Sequence, residues 1–152
     1  MNDFSSEIPK SPEQKKKPLR IIYIEDQKDF RELIKGELEK FPADVELVAS
    51  FDSTEEAKEY LMGIRNEKKE LPDGIVSDHD LGIGKVTGMQ FAKDLKEQGF
   101  EIPVVLFTGY AEQFKSFSEE DFKAMGLTKV VNKRESIEGL VGVLKNIEFL
   151  TS

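Results

Sequence analysis

No cysteine occurs in these 152 residues. A disulfide framework and a thiolate metal site are therefore both excluded, in keeping with a reducing compartment, and the cytoplasm is the expected location. Long hydrophobic runs are missing as well. The longest, such as Val104 to Phe107, extend only four or five residues, against the roughly 20 that a membrane-spanning helix needs. No membrane crossing is expected. Positive charge is in short supply: 22 Lys and Arg face 30 Asp and Glu, for a net charge of −8. That balance repels nucleic acid phosphates, so DNA binding is not expected as the main activity, and proteins or cations are the expected partners. Acidity of this degree also serves plain solubility. The charge excludes more than it assigns. Histidine is nearly absent too, with His79 alone; following an aspartate, it reads as a loop residue and not as a phosphocarrier or ligand.

What is present fits one domain of ordinary size, long enough to bury roughly two thirds of its unfolded surface. Residues 1–18 carry Pro9, Pro12, Pro18 and the run Lys15-Lys16-Lys17, with too few apolar side chains to offset the entropy of ordering. They read as a flexible tail. The lysines are not followed by a long apolar stretch, so no secretory signal is read there. The domain proper is expected over residues 19–152, without internal repeats.

From Leu19 onward short apolar runs alternate with helical periodicity. Ile21-Ile22-Tyr23-Ile24 is a continuous apolar run, the mark of a strand covered on both faces. Phe30, Leu33, Ile34, Leu38 and Phe41 follow at helical spacing, in a helix started by Asp26 or Asp29 and stopped near Pro42. Val45 to Ala49 is a second strand. Ser53-Thr54-Glu55-Glu56 matches a capping box ahead of Ala57, Tyr60, Leu61 and Ile64. Gly74-Ile75-Val76-Ser77 is a third strand, ending at Asp78. A glycine-rich loop from Gly82 to Gly88 leads to a helix with Met89, Ala92 and Leu95, closed by Gly99. Pro103 to Phe107 is a fourth strand, ending at Thr108. Residues 111–125 read as a broken helix, with Ser116 and Ser118 as candidate caps for its second piece. Lys129 to Asn132 is the fifth strand, ending at Lys133, and a last helix from about Ser136 turns Ile137, Leu140, Val141, Leu144 and Ile147 inward.

Five strands alternating with helices predict an α/β fold: a five-stranded parallel sheet, doubly wound, since each right-handed crossover needs a helix to cover the sheet. Ligands of such sheets bind beyond the carboxyl ends of the strands. That edge is where Glu25, Asp26, Asp78, Thr108 and Lys133 all fall. The three carboxylates repel one another, and a cation or an ammonium offsets the charge. Mg²⁺ suits them, as a hard ion that takes oxygen ligands and shares carboxylates with a phosphate. A metal, a lysine and a hydroxyl around an aspartate are what phosphoryl transfer to that aspartate requires. Each residue has a plainer use: Asp78 as a turn cap, Glu25 and Asp26 as helix caps, Thr108 as a strand residue, Lys133 as a surface lysine. Their value is joint.

Four segments carry a family resemblance: Ile21-Ile22-Tyr23-Ile24-Glu25-Asp26, Pro72 to Leu81 around Asp78-His79-Asp80, Val104 to Tyr110 around Thr108-Gly109, and Val130-Val131-Asn132-Lys133. Together they resemble the signature blocks of bacterial two-component response-regulator receiver domains, over about residues 19–150. The resemblance implies a flavodoxin-like sheet with strand order 2-1-3-4-5. It implies Asp78 as phosphoacceptor from the phosphohistidine of a histidine kinase or histidine phosphotransfer protein. Glu25, Asp26 and Asp78 match the Mg²⁺ ligands, with the backbone carbonyl of Asp80 as a further contact, and Thr108 and Lys133 match the hydroxyl and the lysine that meet the phosphoryl group. The implied output is altered docking to a downstream protein; with no effector segment after the last helix, a stand-alone receiver is the expectation. Such a protein is not an enzyme on other substrates. It catalyses only its own phosphorylation and dephosphorylation.

Some positions depart from the family pattern. Arg134 stands where proline is usual after the lysine, and Val130 stands where an aromatic residue usually serves as the switch, a role open to Tyr110. Gly109 replaces a common alanine, and the loop between Asp78 and Gly88 is about two residues longer than usual. Two alternatives follow: a receiver-like adaptor that works without phosphorylation, and a Toprim-like metal-dependent nuclease or primase built on Glu25, Asp78 and Asp80. Against the second, Asp26 occupies the place of the glycine expected after that glutamate.

Overall fold

The structure, a computed structural model, describes residues 17–147. The tail read at residues 1–18 lies outside these apart from Lys17 and Pro18, as do the last residues of the predicted C-terminal segment. In chain order the elements are β1 (Leu19–Ile24), α1 (Lys28–Leu38), β2 (Val45–Phe51), α2 (Thr54–Asn66), β3 (Gly74–Ser77), α3 (Gly88–Glu97), β4 (Val104–Thr108), a 3-10 turn (Ala111–Phe114), α4 (Glu119–Ala124), β5 (Lys129–Asn132) and α5 (Ile137–Lys145). All four strand pairings are parallel, and the order across the sheet is 2-1-3-4-5. This is the predicted doubly wound α/β sheet.

Strand residues alternate between two cores because successive side chains point to opposite faces. Ile21, Tyr23, Val76, Val105, Phe107 and Val131 meet α1 and α5 through Ile34, Leu38, Leu140 and Leu144. On the other face Ile22, Ile24, Ile75, Val104 and Leu106 meet α2 and α3 through Ala57, Leu61, Phe91 and Leu95. Each such aliphatic side chain, fully withdrawn from water, contributes about 1.5–3 kcal/mol before entropy is charged against it. Burial on both faces explains why the central strands read as continuous apolar runs.

Helix boundaries follow from their caps. Ser53, Ser118 and Ser136 each accept a hydrogen bond from the backbone N–H three residues on, at Glu56, Asp121 and Gly139. Thr87 and Gln90 cap α3 reciprocally. Residues 111–125 are broken as predicted, and Ser118, not Ser116, starts the second piece. At α1 the sequence reading is corrected. Gln27 is the cap residue and uses no side-chain bond, because Asp26 faces the other acids instead. Leu33, placed among the inward residues of α1, is 57% exposed; it stands about 100° around the helix from Ile34, off the stripe formed by Phe30, Ile34 and Leu38.

Register brings the chemistry to one edge. Ile24 pairs with Ser77, so Glu25 and Asp78 are the next residues on adjacent strands. Ser77 pairs with Leu106, two residues before Thr108. Thr108 pairs with Asn132, which leaves Lys133 one step beyond.

Candidate functional site

Glu25 is fully buried, an unusual place for a carboxylate unless donors surround it. Lys133 Nζ lies 2.8 Å from its Oε1, and the Tyr23 hydroxyl donates to the same oxygen at 3.2 Å. The other oxygen accepts from the Gln27 N–H at 3.2 Å. Tyr23 can reach because residues i and i+2 of a strand share a face. Arg31 Nη1 donates to the Glu25 backbone carbonyl at 2.6 Å, fixing the turn from β1 into α1.

Burial pushes the Glu25 carboxyl above its usual range, and the nearby Asp78 pushes further, while Lys133 pulls the other way without winning. Burial likewise presses on Lys133, but its hydrogen bonds to Asp78 and Glu25 outweigh that, so the ammonium is held more firmly than usual. The Tyr23 hydroxyl is driven upward by burial and by Glu25. It stays a neutral donor.

Asp78 follows β3 and is nearly buried. One carboxylate oxygen, Oδ1, accepts from the His79 N–H at 2.7 Å, and Oδ2 accepts from Lys133 Nζ at 2.9 Å. One ammonium thus ties two strands' acids together. The Lys133 chain is seated on the Phe30 ring, with Nζ 4.5 Å from its centroid. Behind Asp78, the Ser77 hydroxyl donates to the Asp78 carbonyl at 2.8 Å, and α3 begins so close that a side chain at Gly88 would run into that carbonyl and into Leu106. Glycine is required there by proximity.

Glu25, Asp26 and Asp78 each offer a carboxylate oxygen, all within 4.8 Å of one another. Oxygens around an octahedral Mg²⁺ at about 2.1 Å stand about 3.0 Å apart when adjacent and about 4.2 Å when opposed, so the present spread of up to 4.8 Å is somewhat wider than a closed shell. Oxygen-only donors of three negative charges fit that ion. A cavity of about 670 Å³ lies at the opposite end of the strands, beside Leu19, Asp73 and Pro103, and has no part in this chemistry.

Other predicted residues stand differently. Thr108 is fully buried at the end of β4, and its hydroxyl accepts from the Tyr110 N–H at 3.1 Å and makes no bond to Asp78. Asp80 is exposed; its side chain accepts from the Gly82 N–H at 3.2 Å and lies outside the three-carboxylate group. The triad of Glu25, Asp78 and Asp80 that a Toprim-like site needs is therefore not assembled. Tyr110 is about half exposed, and Val130 packs in the α2/α3 core. Arg134 N–H donates to Asn132 Oδ1 at 2.9 Å, a bond that proline lacks the hydrogen to make.

Sequence reasoning passed over Tyr23, Gln27, Arg31 and the backbone of His79. Tyr23 was detectable, since it stands two residues before Glu25 on the same strand face. The His79 ring is partly buried, edge-on to Phe114 at 5.2 Å between centroids. Its Nδ1 is buried with no hydrogen-bond partner, and burial lowers its pKa against the pull of Asp78 and Asp80.

A doubly wound sheet of order 2-1-3-4-5 carrying an acid cluster and a lysine at its carboxyl edge defines a flavodoxin-like class of site. The model of the response regulator receiver domain matches residues 21–145. The chain belongs to that family. Its fold is similar to the signal receiver domain of NarL from Mycobacterium tuberculosis, at 18% identity and a TM-score of 0.65 over 89% of this chain and 98% of that one. It is also similar to the response regulator TrrA from Thermotoga maritima in complex with Mg²⁺-BeF, at 18% identity and a TM-score of 0.63 over 87% and 98%. The phosphorylated cyanobacterial phytochrome response regulator RcpA matches at 23% identity and a TM-score of 0.59 over 88% and 94%. No curated protein matches.

Proposed function

We propose that this receiver accepts a phosphoryl group on Asp78 from the phosphohistidine of a histidine kinase or histidine phosphotransfer protein, in a Mg²⁺-dependent step. One bond is exchanged for another: the donor's P–N bond breaks, an Asp78 carboxylate oxygen bonds to phosphorus, and the imidazole departs. The ion would be held by Glu25, Asp26 and Asp78, with the Asp80 backbone carbonyl as a further contact. Bound there, Mg²⁺ supplies positive charge against the phosphoryl oxygens.

The observation that carries this reading is Lys133 Nζ within 2.9 Å of both Asp78 and Glu25, with Asp26 in reach of the same carboxylates. Lys133 is already at the atom that changes, and electrostatic stabilisation is most effective when it needs no reorganisation. The His79 N–H holds the other Asp78 oxygen, orienting the nucleophile. The Thr108 hydroxyl accepts from the Tyr110 N–H and keeps its own hydrogen to donate to the phosphoryl group, so a new bond there would tie β4's end to Asp78 and bias docking to a downstream protein in the cytoplasm.

Incubation with a small phosphodonor and Mg²⁺, followed by intact mass measurement, tests the reading. One phosphoryl group is expected on the wild type and none on Asp78→Asn. A gain that persists in Asp78→Asn sinks the assignment, and partner affinity indifferent to phosphorylation would select the adaptor alternative.

A further inference from the structure

Tyr23 is a phenol at a position where the fold needs only a hydrocarbon. Its ring is completely buried among Val76, Val105 and Phe107 on the α1/α5 face of the sheet, and phenylalanine would fill the same space. The hydroxyl is the difference. It makes one bond, to Glu25 Oε1.

That oxygen has two side-chain donors, and they differ in freedom. Lys133 reaches it from a flexible stem and divides its ammonium between Glu25 and Asp78. Tyr23 is locked in the middle of the sheet. A phosphoryl group on Asp78 brings anionic oxygens that draw Lys133 toward them, which removes the shorter of the two bonds to Glu25. Glutamate has one more rotatable bond than aspartate and loses more rotamer freedom when it grips a cation. A fixed second donor makes up for that at β1, where Glu25 stands before Asp26.

We infer that Tyr23 is a positioning residue that keeps Glu25 in its metal-binding orientation while Lys133 turns to the phosphoryl group. This rests on the reading above that Glu25 helps hold Mg²⁺.

Calorimetric titration of Mg²⁺ into the full chain, with no phosphodonor, separates the possibilities across wild type, Tyr23→Phe, Lys133→Met and the double variant. Thermal melts without Mg²⁺ run alongside, and Tyr23→Phe is expected to melt within a few degrees of wild type. Its Mg²⁺ affinity is expected to fall about tenfold, as for other groups that orient a metal ligand. The factor is expected to be larger in the Lys133→Met background, where Tyr23 is the last side chain bonded to Glu25; Lys133→Gln replaces that variant if it does not fold. Equal affinities for Tyr23→Phe and wild type overturn the inference, as does the same factor in both backgrounds, which is what a merely structural role predicts. A wild type that takes up no Mg²⁺ overturns the metal reading itself, and this inference with it.

Discussion

Lys133 Nζ and Asp78 Oδ2 stand 2.9 Å apart, joining residues 55 positions distant in the chain. The same ammonium also balances Glu25, so one cation serves two acids that are buried or nearly so. Glu25 is driven upward in pKa despite it. Burial is the larger cause, and the shared ammonium does not offset it.

Removing that cation is expected to destabilise the fold. Breaking a buried ion pair costs about 3–5 kcal/mol, and because Lys133 retains 20% exposure the lower end, about 3 kcal/mol, is expected for Lys133→Met in urea unfolding at neutral pH with chelator present. The sign of the pH effect follows from Glu25. Its folded pKa lies above the unfolded value, so its ionisation costs stability as pH rises through the folded pKa, and that cost is gone below about pH 4.5. Without Lys133 the cost is greater. The gap between variant and wild type is expected to narrow as pH falls, and a gap independent of pH would contradict the charge argument.

His79 gives a second pH dependence, of opposite sign. Its folded pKa is lowered by burial below the ordinary histidine value of about 6.5. The unfolded chain therefore binds the proton more readily, and stability from this residue is lost as pH falls below about 6.5. His79→Phe keeps a ring against Phe114 and removes a buried nitrogen with no partner. A gain of about 1 kcal/mol at neutral pH is expected, widening as pH falls below about 6.5. Melting temperatures of the two proteins across that range check it.

Glycines 88 and 63 are expected to respond to alanine in opposite ways. At Gly88 the methyl meets the Asp78 carbonyl and Leu106, so Gly88→Ala should lose about 1–3 kcal/mol. Gly63 sits inside α2 with nothing near a Cβ, and Gly63→Ala should gain about 0.4–1 kcal/mol by restricting the unfolded chain. Urea midpoints for the pair decide the matter.

The strands were legible because burial on both faces writes them as largely apolar runs, and each singled-out residue stood within two positions of the last apolar one. Parallel register then carries Glu25, Asp78 and Lys133 to one edge with no further information needed. Caps were legible where a serine preceded acids, as at Ser53 and Ser118. The α1 start was not, since Asp26 and Asp29 both resemble caps and the competing use of Asp26 depends on Asp78, 52 positions away. Thr108 was legible as a strand-end hydroxyl, but its bond to the Tyr110 N–H depends on how the chain turns at Gly109. Tyr23 went unread because apolarity and strand period account for its ring completely, and only its neighbour Glu25 accounts for its oxygen.

Beyond the Thr108 end of β4 lies α4, which is one and a half turns long and completely buries none of its own side chains. Rings hold this region together, His79 against Phe114, Phe114 against Phe117, and Phe117 against Phe122. Displacing α4 uncovers no fully buried side chain of its own, but it parts Phe122 from the α2/α3 core on which Phe117 and Met125 also pack. Under the proposed function, charge added at Asp78 meets a sheet buried on both faces and, beside it, a short helix with no fully buried side chain of its own.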